Sequence, residues 1–306
     1  MTLTRISFVV LFVAPVVWCF GGPPKPRVVV SGGSTEVNLC CAKLAAKAGC
    51  EAYTIVQSQS DRDLWKANAL MYGREYADQG SKAGAATAIS GVDAIAKALS
   101  RAEAVIFCCD ATSGPPTDSG MRAVFGNAPK LKHVAFLSTL GGGRAPFPGK
   151  SLDKAERTLR DLAVANNVEV SVVRVGNLKG GGPGEVDTTG PKAGTAKTDF
   201  GLAKYYYDTL VDLSQATATM AYDRFAVGAD VQQGDPLTMP NPIVSAFTAG
   251  SFDPVPTDCS RLSAAAALVA AVRRPKGNEF TISAKADTQP PSPDQWIKIL
   301  DQAAAM

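Results

Sequence analysis

Histidine is almost absent from this 306-residue sequence, in which His133 is the single example. No spacing between it and the cysteines makes a plausible zinc site. Charge of one sign is lacking too. The formal net charge is +3, no block of like charges occurs and no basic stripe carries interleaved aromatics, which sets nucleic acid aside as a partner. No internal repeat is present and no long stretch has the composition of a disordered chain. There are seven cysteines. Cys40–Cys41 and Cys108–Cys109 fall as adjacent pairs inside a predicted helix and a predicted buried strand, so they read as small hydrophobes and not as a disulfide framework. A reducing compartment fits that usage better than an oxidising lumen. What is there is an apolar fraction of 46%, ordinary for a globular protein with a real core and enough for one large α/β domain or two small ones.

The sequence also lacks a membrane-spanning run. Met1 to Arg5 carries one positive charge, and Ile6 to Cys19 is a 14-residue apolar stretch broken only by Pro15. That is short for a bilayer and the right length for a signal-peptide core. Val17 and Cys19 are acceptable before a cut that leaves Phe20 as the new N-terminus, with no transmembrane span in the mature chain. A lipoprotein role for Cys19 is opposed by the bulk of Trp18. Residues 20–26, Phe-Gly-Gly-Pro-Pro-Lys-Pro, run on into Arg27 as a basic stretch without acids. This resembles the bipartite plastid-targeting presequences of algae with red secondary plastids, and implies the plastid stroma; plain secretion is the alternative.

From Arg27 to Asn38 a buried-strand signal runs into a glycine turn and then a helix. Val28, Val29 and Val30 are the strand, and Val37, Cys40, Cys41, Leu44 and Ala48 recur on one face of a 3.6-residue repeat. Gly49 stops the helix. In a dinucleotide-binding turn glycines allow a tight bend, close approach of the backbone to a pyrophosphate, and packing of helix on strand. Gly32 fills the first role, while the second and third glycine positions fall on Thr35 and Asn38, which predicts side chains crowding the phosphate. Gly33, Ser34 and the helix N-terminus still offer amides to an anion, opposed by the charge of Glu36. A strand–turn–helix that binds nothing is the other reading of this segment.

Strand and helix signals alternate onward, which predicts a parallel sheet covered by helices on both faces. Strands are expected at Ala52–Val56, Ala86–Ser90, Ala104–Cys109, His133–Leu137, Val168–Val175 and Phe280–Ser283. Helices are expected at Asp93–Ser100, at Ser151–Asn166 with Leu152, Ala155, Leu159 and Leu162 on one face, and at Ser263–Val272. Ser292 and Pro293 start a last helix. The stretch holding Asp61, Arg62 and Asp63 reads as merely polar. Residues 180–256 break the rhythm, with Tyr205, Tyr206 and Tyr207 in an expected helix, and read as an insertion or substrate lid. The division is therefore a core over 27–178, completed by an insertion and small C-terminal lobe over 179–306.

Four segments in order resemble the atypical short-chain dehydrogenase/reductase group, particularly its NmrA-like and plastid members. They are Ala104-Val-Ile-Phe-Cys-Cys-Asp-Ala111, Lys132-His-Val-Ala-Phe-Leu-Ser-Thr-Leu-Gly141, Lys154-Ala-Glu-Arg-Thr-Leu159 and Val172-Val-Arg-Val-Gly-Asn-Leu178. Asp258 to Val272 adds a helix that resembles the one after the family's substrate loop. The resemblance implies a Rossmann-like doubly wound parallel sheet, an NAD or NADP cofactor met by Gly32, Gly33, Ser34, Thr35, Asp110 and Ala111, and hydride transfer to a small carbonyl or alkene. It implies Ser138 or Thr139 as the hydroxyl that holds the substrate carbonyl, and Lys154 as the lysine that binds the ribose. The family tyrosine, four residues before the lysine, is here Lys150, on an expected surface loop after Pro148-Gly149; Tyr205, Tyr206 or Tyr207 replaces it only if the lid folds back. The second strand ends Val56-Gln57-Ser58 without the acid that bonds a free ribose 2′-hydroxyl. Arg62 within reach of a 2′-phosphate gives NADP a slight preference, with an ion pair to Asp61 or Asp63 as its other role. Arg174 reads either as a ligand contact near the switch point or as a structural salt bridge. The rival to an enzyme is a non-catalytic scaffold or assembly factor in a plastid complex.

Overall fold

β-Branched residues favour extended backbone, and Val28, Val29 and Val30 lie fully buried in β1 (Arg27–Ser31). The computed structural model describes residues 25–32, 36–56, 60–79, 84–108, 114–143, 152–179, 228–237, 257–285 and 291–306. After β1 come α1 (Glu36–Lys47), β2 (Glu51–Ile55), α2 (Asp61–Tyr72), α3 (Arg74–Gln79), β3 (Thr87–Ile89), α4 (Val92–Leu99) and β4 (Ala104–Phe107). Then follow α5 (Asp118–Asn127), β5 (His133–Thr139), a tight turn at Leu140–Gly143, α6 (Leu152–Asn166), β6 (Glu169–Val175) and β7 (Asn177–Lys179). The chain closes with β8 (Gly228–Gln233), β9 (Asp258–Ser260), α7 (Arg261–Val272), β10 (Glu279–Lys285) and α8 (Pro293–Ala305).

The strands form a sheet in the order β3-β2-β1-β4-β5-β6-β10-β8, with β7 and β9 as a separate parallel pair. Every neighbouring pair in the large sheet is parallel except β10 with β8. The order reverses between β1 and β4, as in a doubly wound dinucleotide fold. The expected Rossmann-like parallel sheet is therefore present. A parallel sheet must be covered on both faces, and the core divides accordingly. One cluster joins β1, β4 and β5 to α1, α2, α7 and α8 through residues such as Cys41, Met71, Leu268 and Trp296. The other sits under α4, α5 and α6 around Phe107, Met121, Phe136 and Leu159.

The sequence reading misses several elements. Asp61–Tyr72 is a helix, capped by Ser60, which accepts from the Asp63 amide at 3.2 Å and turns Ala67, Leu70 and Met71 inward. Residues 228–233, inside the stretch read as an insertion, are the antiparallel edge strand β8. Residues 180–227, with Tyr205, Tyr206 and Tyr207, and residues 238–256 lie outside the described residues, as do residues 1–24. Helix α1 is buried on more than the predicted face, Leu39, Ala42 and Ala45 being as inaccessible as Val37 and Cys41, and α7 packs on it with Cys41 Sγ 3.8 Å from Ala265 O. The alanine run of α7 keeps that approach close, and the Ser260 hydroxyl caps its first turn by accepting from Leu262 and Ser263 amides. Among the described residues no helix is long and apolar enough to cross a membrane.

Candidate functional site

The carboxyl ends of β1, β4 and β5 meet where the strand order reverses, the position at which open α/β sheets receive ligands. The local structure requires Gly32. The Cys108 amide donates to Ser31 O at 2.8 Å, so the end of β4 presses on the turn. A Cβ on Gly32 would lie 1.9 Å from the Cys108 carbonyl oxygen, and the residue adopts φ +154°. Beneath this contact the thiols of Cys41 and Cys108 sit 3.4 Å apart, both buried and reduced, as the reading of small hydrophobes anticipates. Cys109 and the expected cofactor residues Gly33, Ser34, Thr35, Asp110 and Ala111 lie outside the described residues, as does Lys150.

The expectation that Asn38 crowds a pyrophosphate is corrected. Its side chain is wholly buried, and Nδ2 donates to Thr54 Oγ1 at 2.9 Å, tying α1 to β2. The helix-on-strand packing that a third glycine serves elsewhere is made here by a hydrogen bond.

The two hydroxyls at the end of β5 have different surroundings, since adjacent strand residues face opposite sides of a sheet. Ser138 faces α6, where its Oγ donates to Glu156 Oε2 and accepts from Arg174 Nη1, both at 3.2 Å. It belongs to a buried polar cluster. Arg174 Nη2 lies 2.8 Å from Glu156 Oε1, and Nε bonds Glu279 with Asp235 at 3.7 Å. Arg160 bridges Glu156 and Glu279 at 3.0 Å each. Burial opposes the charge on Arg174, but the carboxylates of Glu279 and Glu156 outweigh it and hold its pKa above the ordinary value. Of the two roles left open for Arg174, the structure gives the salt bridge. Thr139 Oγ1, in contrast, is buried with no hydrogen-bond partner among the described residues. Nothing in the sequence singled out Glu156, Glu279 or Asp235; the only local signal is the four-residue spacing of Glu156 and Arg160.

Lys154 stands on the first turn of α6. Its Nζ is exposed and lies 3.2 Å from Asp118 Oδ2, at the start of α5. Arg62 is exposed on the first turn of α2, with no ion-pair partner among the described residues. His133 has a structural role. Nδ1 approaches Arg274 O at 3.2 Å and Nε2 approaches Ser171 Oγ at 2.9 Å, an arrangement satisfied by the neutral ring with its proton on Nδ1. No cluster among the described residues has the makings of a metal site.

No family model matches the chain, and no curated protein matches it. It is similar to a solved reductase engineered to attenuate substrate inhibition, at 13% identity over 91% of this chain and 83% of that one, with a TM-score of 0.45. It is similar to the Bordetella bronchiseptica enzyme WbmF, solved with NAD+ and UDP, at 13% identity over 92% of this chain and 78% of that one, with a TM-score of 0.43. Against AtPrR2, solved with NADP+ and (+)pinoresinol, identity is 16%, the TM-score is 0.39, and the match covers 51% of this chain and 52% of that one, so this chain spans about half its length. These likenesses concern the fold alone. The chain's own strand order makes it a Rossmann-like α/β protein, the fold of the atypical short-chain dehydrogenase/reductase group that it resembles.

Proposed function

We propose that this chain binds a nicotinamide dinucleotide across the carboxyl edge of its sheet. The observation that supports this reading is the Gly32 turn: it lies at the reversal of strand order, and its lack of a side chain lets β1 and β4 close against each other beneath the ligand position. The described residues thus fit such a group. Gly33, Ser34 and Thr35 with the start of α1 would hold the pyrophosphate, Asp110 and Ala111 would line the turn after β4, and Arg62 would face a 2′-phosphate, which favours NADP over NAD. The dinucleotide, when bound, supplies a hydride. Thr139, with its unpartnered hydroxyl, is a better candidate than Ser138 to orient a small carbonyl acceptor, and Lys154 would reach the ribose by exchanging Asp118 for it.

A second reading is favoured by a specific observation. Ser138 is enclosed by Glu156 and Arg174, and Lys150 stands where the family has its tyrosine. A non-catalytic binder, acting as a scaffold or assembly factor in a plastid complex, needs neither group. Titration with NADPH and NADH, followed by nicotinamide fluorescence, tests the shared claim. NADPH binding more tightly than NADH is the expected result, and silence with both would overturn it. NADPH oxidation across a panel of small aldehydes, ketones and enones then separates the enzyme from the scaffold.

A further inference from the structure

The second turn of α1 and the end of β4 meet through sulfur. Cys108 Sγ donates to Cys41 Sγ at 3.4 Å, a direct thiol–thiol contact between residues 67 apart in the chain. The backbone around the pair is held. The Cys108 amide donates to Ser31 O at 2.8 Å, its carbonyl oxygen packs on Gly32, and Cys41 Sγ lies 3.8 Å from Ala265 O on α7. Cys50 and Cys259 have other surroundings. Burial pushes both of their thiols up, which disfavours the reactive thiolate, and Cys259 Sγ faces Ser260 O at 3.4 Å.

A disulfide needs its sulfurs about 2.05 Å apart. Side-chain rotation with a slight backbone movement supplies the remaining distance of about 1.4 Å, since nothing stands between the two thiols. We propose that Cys41 and Cys108 are a two-electron redox pair whose disulfide clamps α1 to the end of β4 when a peroxide oxidises it. One thiolate attacks a peroxide oxygen and releases hydroxide, leaving a sulfenic acid; the other thiolate attacks that sulfur and displaces a second hydroxide. The hydroxides take up the two protons lost by the thiols. Two thiols and one hydrogen peroxide thus become one disulfide and two waters. Hydrogen peroxide is close to water in size and enters by local opening of the buried contact. A dithiol reductant reverses the link by exchange. The clamp lies beneath the Gly32 turn, and it forms whether or not that turn holds a dinucleotide.

The test treats the whole protein, without dinucleotide, with hydrogen peroxide, blocks free thiols in denaturant, and maps disulfides by mass spectrometry of a non-reducing digest. Cys41 joined to Cys108 in most chains is the expected result, with Cys50 and Cys259 recovered as blocked free thiols. Closing a loop of this length should raise Tm by roughly 5–10 °C, and dithiothreitol should reverse the rise. Cys41→Ala and Cys108→Ala should each abolish it, while Cys50→Ala keeps it. The disulfide map of the natural protein decides the case in which a variant fails to fold. Free Cys41 and Cys108 after peroxide treatment, a link from either to another cysteine, sulfinic acid in place of the disulfide, or a linked chain with an unchanged Tm would overturn the proposal.

Discussion

Replacing Arg174 by methionine removes the guanidinium around which Ser138, Glu156 and Glu279 are arranged. Glu156 would remain in the core with a side chain only 10% exposed, held by Arg160, itself 42% exposed, and by Ser138. Breaking a buried pair from one side costs about 3–5 kcal/mol. The surviving Arg160 contact places this case near the lower figure, about 3 kcal/mol. With a urea dependence of roughly 3 kcal/mol per molar for a chain of this size, the midpoint falls by about 1 M. Glu156→Gln leaves Arg174 its contacts with Glu279 and Asp235, so the smaller loss of about 1–2 kcal/mol is expected. Because the two residues share one bond network, the double variant should be less destabilised than the sum, by about 1–2 kcal/mol. Urea unfolding followed by circular dichroism measures all four corners of this cycle. Additivity within about 0.5 kcal/mol would show that Arg174 and Glu156 are not coupled, and the placement of Ser138 in a structural cluster would fall with it.

Three further outcomes follow from the geometry. Gly32→Ala must displace either the Cys108 carbonyl or the turn, so stability should fall by about 1–3 kcal/mol and NADPH binding should be lost; an unchanged urea midpoint refutes the close contact. Asn38→Gly removes the bond to Thr54 and places glycine in a helix, costing about 2 kcal/mol without tightening NADPH binding; tighter binding in a titration would return Asn38 to the phosphate. His133 has its pKa lowered foremost by burial, against the opposing hydrogen bond to Arg274 O and the charge of Glu169, with the charge of Arg274 lowering it further. The unfolded chain therefore takes up this proton first, below about pH 6.5, and stability drops as pH falls from there toward the lowered folded value. Urea midpoints at pH 7.5 and 5.5 should differ more for the natural protein than for His133→Gln, and equal differences would contradict the assignment.

The parts of the fold legible in the sequence are those whose signal is local. Three consecutive valines, a glycine turn and a 3.6-residue repeat announce β1 and α1 without reference to any partner. Ser292 and Pro293 announce α8, where the structure has a full capping box with Gln295. Helix α2 was hidden because its first turn, Asp-Arg-Asp, is polar, although Ser60 before it was a readable cap. Strand β8 has few apolar residues and exists through its ladder with β10, a pairing that no local pattern carries. The site follows the same division. Gly32 is visible as a turn residue, whereas the enclosure of Ser138 depends on Glu156 and Arg174, 18 and 36 residues further along. Asn38 looked like an obstacle in a glycine motif because the sequence does not show Thr54 beside it.

The claim at the centre of this account is that the crevice around Gly32 holds a nicotinamide dinucleotide. Calorimetric titration of the natural protein and of Gly32→Ala with NADPH measures it most directly. The account predicts one site per chain in the natural protein and none in a Gly32→Ala chain that is still folded by circular dichroism. Equal binding by the two proteins, or no heat from the natural one, would contradict it.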